Sequence, residues 1–321
     1  MKHNNIIYNN IKIHLNINIA KPNLDGIYST EWLNPNNFKF KENLERNVLP
    51  DDIIKYLTKL EQYTILQFFI GFHAINYQYW TPTTPSGFKP YIHEGRSGFY
   101  ACLQSYFKFF KNTETTRKIS SPTQIDFLTY FGAIPNSKER FLLLLDAWNP
   151  ENMDNIYQII NEDIKEKCIS IDTAYKISKI IPSCFDDTYL RKAIYLLWDY
   201  VYISQKLSLN EVKIKSKSNI TSNTISSIKI DLPIIADHQT AKVLAMNNMI
   251  IYSDELKNKI TQSICIEKNS PEELAIRACI IFVGEHIVKR LNINSLQLYQ
   301  LMWQMRAEKN EPFFLCVNNN Y

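Results

Sequence analysis

A chain of 321 residues with 45% hydrophobic content can bury a large core, in one big domain or two moderate ones. Its seven scattered glycines exclude a Gly-rich phosphate loop or dinucleotide fingerprint. The formal charge of +4, with lysines spread along the chain, gives a solvated surface and no nucleic-acid groove, so direct nucleic-acid binding is not expected.

Residues 11–19, IKIHLNINI, alternate apolar and polar (Ile11, Ile13, Leu15, Ile17, Ile19), which predicts a half-buried strand. Residues 1–49 are therefore read as a strand-and-loop segment. Helical patterning takes over at Pro50, with Asp51 and Asp52 in the first turn, where the helix dipole favours them. Ile53, Tyr56, Leu57 and Leu60 share one helical face, and the pattern runs on to Phe72. TPTTPSGF (81–88) is a loop, and the neighbourhood of Ser97 caps a helix through Phe110. The stretch 111–123 is polar linker, in which Ser121 and Pro122 open another helix. Asn136 or Ser137 caps SKERFLLLLDAW, where Glu139 and Arg140 are read as a structural pair. Helices near 151–166 and 171–181 follow. The next, 191–207, is aromatic almost all round and therefore buried. Residues 210–227, rich in Lys, Ser and Asn, are read as an exposed insertion. SIKIDLPII is a short strand leading into Asp237, and helices at 237–247, 253–264, 270–291 and 294–307 complete the chain. The fold class is mainly α: a single helical domain over 1–321 with a minor β element.

Two segments carry charge in apolar settings. IIADHQTAKVL (234–244) places Asp237 at the end of an apolar run and ahead of a helix, where its carboxylate is either a helix N-cap or a functional acid. In SPEELAIRACIIFVGEHIVKRL (270–291), Ser270 is the N-cap, Pro271 the first helical residue, and Glu273 completes a capping box. Leu274, Ala278 and Ile281 form an apolar stripe, and Arg277 and Glu285 flank it. Charges in that position are costly unless paired or used. The six cysteines lie far apart without a C-x-x-C pair, and no Cys/His cluster has zinc spacing. Cys102 and Cys279 read as reduced core residues. The N-terminus lacks the apolar region of a secretory signal, and the longest apolar run, near TILQFFIGF (64–72), is too short to span a bilayer. A soluble, cytoplasmic protein without membrane contact is expected.

The order of segments resembles that of the queuosine salvage protein family, the queuosine 5′-phosphate N-glycosidases, over roughly residues 50 to 321. IIADHQTAKVL falls at the family's Ala-Asp-Tyr-Arg signature, with YSDEL (252–256) after it; EELAIRA and Glu285 fall at its Glu-Ile-Arg-Ala segment and downstream Glu. AINYQYW (74–80) resembles Leu-Asn-Phe-x-Phe-Trp, SGFYACL (97–103) the Gly-Tyr-Trp helix start, and AIPNSKERFLLL (133–144) the Ile-Pro-x-x-x-Glu-Arg run. SCFDD (183–187), LMW (301–303) and the terminal PFFLCVNNNY fit Phe-x-Asp, Leu-Trp and Pro…Tyr.

The resemblance implies a helical fold similar in architecture to helical DNA glycosylases, and hydrolysis of a nucleoside N-glycosidic bond. Such a reaction passes through a ribosyl oxocarbenium ion, which needs an anion beside the sugar and an oriented water. The departing purine-like base offers N1–H and an exocyclic amino group as adjacent donors. By resemblance Asp237 is the catalytic carboxylate, and Asn76, Tyr77, Trp80, Phe99, Asp187, His238, Arg277, Glu285 and Tyr321 bind substrate. No metal or organic cofactor is required, the partner is a small nucleoside or nucleotide, and a monomer is expected. Departures from the family pattern include Asp237-His238-Gln239 in place of Asp-Tyr-Arg, and Phe313 to Cys316 where relatives carry histidine and arginine. They motivate an alternative: a non-catalytic binding protein on the same scaffold.

Overall fold

The computed structural model describes residues 4–30, 33, 49–83, 87–116, 122–211, 228–305 and 312–317. Fifteen helices hold 65% of these described residues and the strands are two or three residues long, so the fold is mainly α. Contacts divide the chain into two compact units. One comprises Met1–Pro50, Ser170–Asp172 and Ile230–Asn318; the other comprises Asp51–Ile169, Thr173–Lys229 and Asn319–Tyr321. The second is thus inserted into the sequence of the first.

The discontinuous unit is built on the helix Pro271–Leu291. Ser270 caps it through Glu273 N, Pro271 occupies the first turn, and Asn292 in the left-handed conformation ends it. The capping box forms by half: the Glu273 carboxylate accepts from Asn269 N, one residue before the cap. Ala275 through Ile281 and Val283 are fully buried, so this helix is enclosed on most sides and carries more than a single stripe. Gly284 gives it a notch. A Cβ there would lie 2.5 Å from Ile234 Cγ2, so the missing side chain seats Ile234 and fixes the approach of the chain to Asp237. Against the same unit the expected strand at 11–19 is corrected. Residues Asn4–His14 form a helix that buries Ile7 and Ile11 while Ile13 and Ile17 face solvent. The four-residue step from Ile7 to Ile11 satisfies a helical face, and a period-two reading from Ile11 onward misses it. The strand comes later and shorter, as Ala20–Pro22 pairing antiparallel with Ile250–Tyr252.

The inserted unit has an aromatic core. The pattern expected to run unbroken from 50 to 72 is two helices, Asp51–Leu57 and Gln62–Ile75, and the second is buried from Ile65 to Ile75. Its direction is set by packing on all sides. Gly71 opens that helix at one point: a Cβ there would collide with Tyr106 Oη and Trp148 Nε1. Those two groups instead donate to the carbonyls of Phe68 (2.9 Å) and Gln67 (3.2 Å). The helix from Gly98 runs to Thr116, past the expected end at Phe110. Ser121 lies outside the described residues; Thr123 caps Gln124–Phe131 in a complete capping box with Asp126. Asn149 and Pro150 start Pro150–Lys165. Trp198 and Tyr200 of Arg191–Glu211 are buried, as an all-round aromatic helix requires. Beyond Glu211 the expected 210–227 insertion falls outside the described residues.

Candidate functional site

In the discontinuous unit, Asp237 is 1% exposed and is the N-cap of His238–Met246. Its Oδ1 accepts from Thr240 N (2.8 Å) and Thr240 Oγ1 (3.0 Å), and its Oδ2 from Tyr299 Oη (3.3 Å). The two readings of this residue therefore coincide in one side chain: it finishes a helix end and it is a buried carboxylate. A helix N-terminus is the favoured place for an anion withdrawn from water, because unpaired N–H groups and the positive end of the dipole converge there.

Arg277, fully buried, reaches the same stretch of backbone. Its Nε donates to Ala236 O (3.2 Å), the carbonyl just before Asp237, and its Nη1 pairs with buried Glu273 Oε1 at 3.1 Å. Arg277 so fixes the entry to the cap through the main chain, with its charge balanced one helical turn back. His238 is half-buried with its ring 5.0 Å from that of Phe313. Glu285 has different partners. It lies beside Tyr8, a residue 45% exposed, whose phenol is pushed up by partial burial and then by the Glu285 carboxylate. The two line a cavity of about 180 Å³ together with Asp231, Leu232, Pro233 and Lys289. Asp237 and Arg277 do not line it. Tyr321 lies outside the described residues.

The remaining candidates belong to the inserted unit. Asn76, Tyr77, Trp80 and Asp187 are buried and Phe99 is half-buried. Phe99 packs edge-on against Phe72, and Trp80 against Phe88. Three buried cations hold the turn that follows the helix Gln62–Ile75. Arg140 donates to the carbonyls of Pro135 (2.7 Å), Ile75, Tyr77 (2.6 Å) and Gln78 (2.7 Å), and its guanidinium lies 3.9 Å from the Tyr77 ring centroid. Arg191 donates to Asn76 O (3.3 Å), while its own backbone N–H donates to Asp187 Oδ2 (2.9 Å). Lys192 donates to Ala74 O (2.8 Å) above the same Tyr77 ring. Cations gather here because the carbonyls at a helix C-terminus lack intrahelical donors and carry the negative end of the dipole. Burial, the larger influence, and the neighbouring guanidinium groups push the Lys192 amine down to about 7.

Asn76 also closes a polar chain. Tyr79 Oη donates to Asn76 Oδ1 (2.6 Å), which turns Asn76 Nδ2 toward His73 Nδ1 (3.2 Å). His73 Nε2 must then carry the proton and donate to Asp199 Oδ2 (3.0 Å). Burial lowers the His73 pKa despite Asp199, so the ring is neutral and fixes one orientation of the Asn76 amide. Sequence reasoning passed over His73, Tyr79, Asp199, Lys192 and Tyr299. A histidine three residues before Asn76 on a helix was a readable cue; nothing local connects Tyr299 with Asp237. Among the described residues, no group of three or more His, Cys, Asp and Glu is placed to hold a metal ion, and no helix is long and apolar enough to cross a membrane.

A mainly helical protein with a buried, helix-capping carboxylate and a cation-braced aromatic turn is the class these features define. The family model of the queuosine salvage protein matches residues 214–313, the span that holds Asp237, His238, Arg277, Glu285 and Tyr299. The match covers 100 of the 321 residues and is a similarity of that span to the queuosine salvage family. No curated protein matches the chain.

Proposed function

We propose that the protein is an N-glycosidase that releases queuine, a 7-deazaguanine base, from queuosine 5′-phosphate or a related nucleoside, supplying the base for tRNA modification. The observation that supports this reading is Asp237: a carboxylate 1% exposed, inside the family match, held at a helix N-terminus by Thr240 and Tyr299. In the proposed step the bond from the anomeric carbon to the base nitrogen breaks, its electron pair leaves with the base, and positive charge develops on the ribose. Asp237 stabilises that charge, orients the water that adds to the anomeric carbon and takes its proton, and an equivalent proton ends on the departing base nitrogen, which gives the free hydroxyl sugar and the neutral base. Thr240 and Tyr299 hold the carboxylate in one rotamer, so no reorganisation is needed as the charge appears. Asn76, Tyr77, Trp80, Phe99, Asp187, His238, Arg277, Glu285 and Tyr321 are proposed as substrate-binding residues.

Asp237→Asn separates the two roles of this residue. Asparagine caps helices as well as aspartate does, so the loss of stability should stay near that of one altered buried hydrogen bond, about 0.5–1.5 kcal/mol. Release of free queuine from queuosine 5′-phosphate, followed by chromatography, should fall by roughly a hundredfold to a thousandfold. Wild-type protein that releases no base sinks the hydrolase reading. A second reading, a binding protein without turnover, is favoured by one observation: both Asp237 oxygens already accept internal hydrogen bonds. It predicts that queuine raises Tm, that no nucleoside is consumed, and that Asp237→Asn changes affinity alone.

A further inference from the structure

Gln78 carries two local costs. Its backbone φ is 28°, in the left-handed region that a side chain with a Cβ adopts only under constraint. Its Oε1 is buried and has no hydrogen-bond partner among the described residues, although the residue is only 5% exposed. The amide cannot simply be turned round to cure this. Nε2 donates to Trp80 O at 3.1 Å, and a flip would set two oxygens against each other. Arg140 Nη2 holds the Gln78 carbonyl at 2.7 Å, so a fully buried cation maintains the unusual backbone. An orphaned buried acceptor and a left-handed residue each lower stability, and their coincidence at one braced position points to a use outside the fold.

We infer that Gln78 Oε1 is a base-recognition acceptor, matched to the N–H edge of a planar heterocycle that bears N1–H and an exocyclic amino group. This rests on the proposed reading of the substrate, and it adds a residue to the set assigned there. The chemistry fits the position. An acceptor that protein groups leave unmatched is completed by a ligand donor, and it penalises any base lacking that donor. Gln78 lies between Asn76 and Trp80 in sequence, two residues proposed to contact the same base.

The test measures the affinities of 7-deazaguanine and its N1-methyl derivative by calorimetry, on wild type, Gln78→Met and Gln78→Gly, with chemical denaturation of each. Wild type should prefer the unmethylated base at least tenfold, and both variants should bind the two bases within about twofold of each other while remaining folded. A residue that merely supports the fold would lower both affinities together and leave the preference intact. That outcome, absence of a wild-type preference, or unfolding of both variants overturns the assignment. Binding of the free base involves no bond cleavage, so the two failures are distinguishable. Base discrimination without nucleoside hydrolysis sinks the N-glycosidase reading alone. Hydrolysis with discrimination unchanged in the variants sinks the Gln78 assignment alone.

Discussion

Asp237 and the trio Arg140, Arg191 and Lys192 meet the same difficulty from opposite sides. Each is a charged group removed from water, and each is placed at a helix end whose unpaired backbone groups have the opposite polarity. Asp237 takes the N–H end of His238–Met246. The cations take the carbonyl end of Gln62–Ile75 and the turn beyond it. The difference lies in multiplicity. The anion is a single carboxylate that accepts from the Thr240 and Tyr299 side chains, whereas three cations share a run of carbonyls, two of them over the Tyr77 ring and Arg191 over that of Tyr195. A single buried carboxylate at a helix N-terminus suits chemistry. A braced turn suits the holding of a fixed shape.

The contrast can be broken most forcibly at Arg140. Arg140→Leu strands the Ile75, Tyr77, Gln78 and Pro135 carbonyls, at roughly 1–3 kcal/mol for each buried acceptor. Such a loss approaches the whole stability of a typical domain, and denaturant titration should find the inserted unit unfolded. Next comes Arg277→Leu, which leaves the buried Glu273 carboxylate without its counter-charge, at a cost of about 3–5 kcal/mol. The double variant Arg277→Leu/Glu273→Leu should recover most of it, and a double-mutant cycle reads the coupling directly.

Lys192 gives a pH signature. Its folded-state pKa is pushed down to about 7 from 10.5, so between these values the unfolded chain binds the extra proton and stability rises with pH. The penalty is fully present below about 7 and is lost as pH climbs. The groups that influence Lys192 are Cys184, Arg191, Arg140 and Glu139. Burial raises the Cys184 thiol to about 11, so the useful window is pH 7–9. There the stability difference between wild type and Lys192→Met should change by roughly 1.4 kcal/mol per pH unit; a flat difference means that the amine is not buried as a base. The smallest effect is expected at Tyr299→Phe, about 0.5–1.5 kcal/mol for one hydrogen bond to Asp237, measured by thermal unfolding.

Local chemistry made much of this legible in the sequence. Ser270 and Pro271 start their helix as expected, Asp237 caps the next segment as its position ahead of an apolar period suggested, and the aromatic helix from Arg191 is buried. What escaped depends on partners distant in sequence. Arg140 looked like half of a pair with Glu139, because backbone carbonyls, its main partners, leave no mark on residue type. Tyr299 reaches Asp237 across 62 positions, and no periodicity encodes that. The helix Asn4–His14 was missed because isoleucines at alternate positions mask a four-residue step.

The split path of the discontinuous unit has a consequence for biosynthesis. Its sheet pairs Ala20 with Tyr252, and Asn23 donates to the carbonyl of Asn248 from 225 positions away. On a ribosome the early strand must wait, unpartnered, while the whole inserted unit emerges. Loop-closure entropy for so long a separation grows only logarithmically, and prior collapse of the insert shortens the effective tether further. The nascent chain therefore assembles from its middle outward, and the carboxylate at 237 is buried among the last.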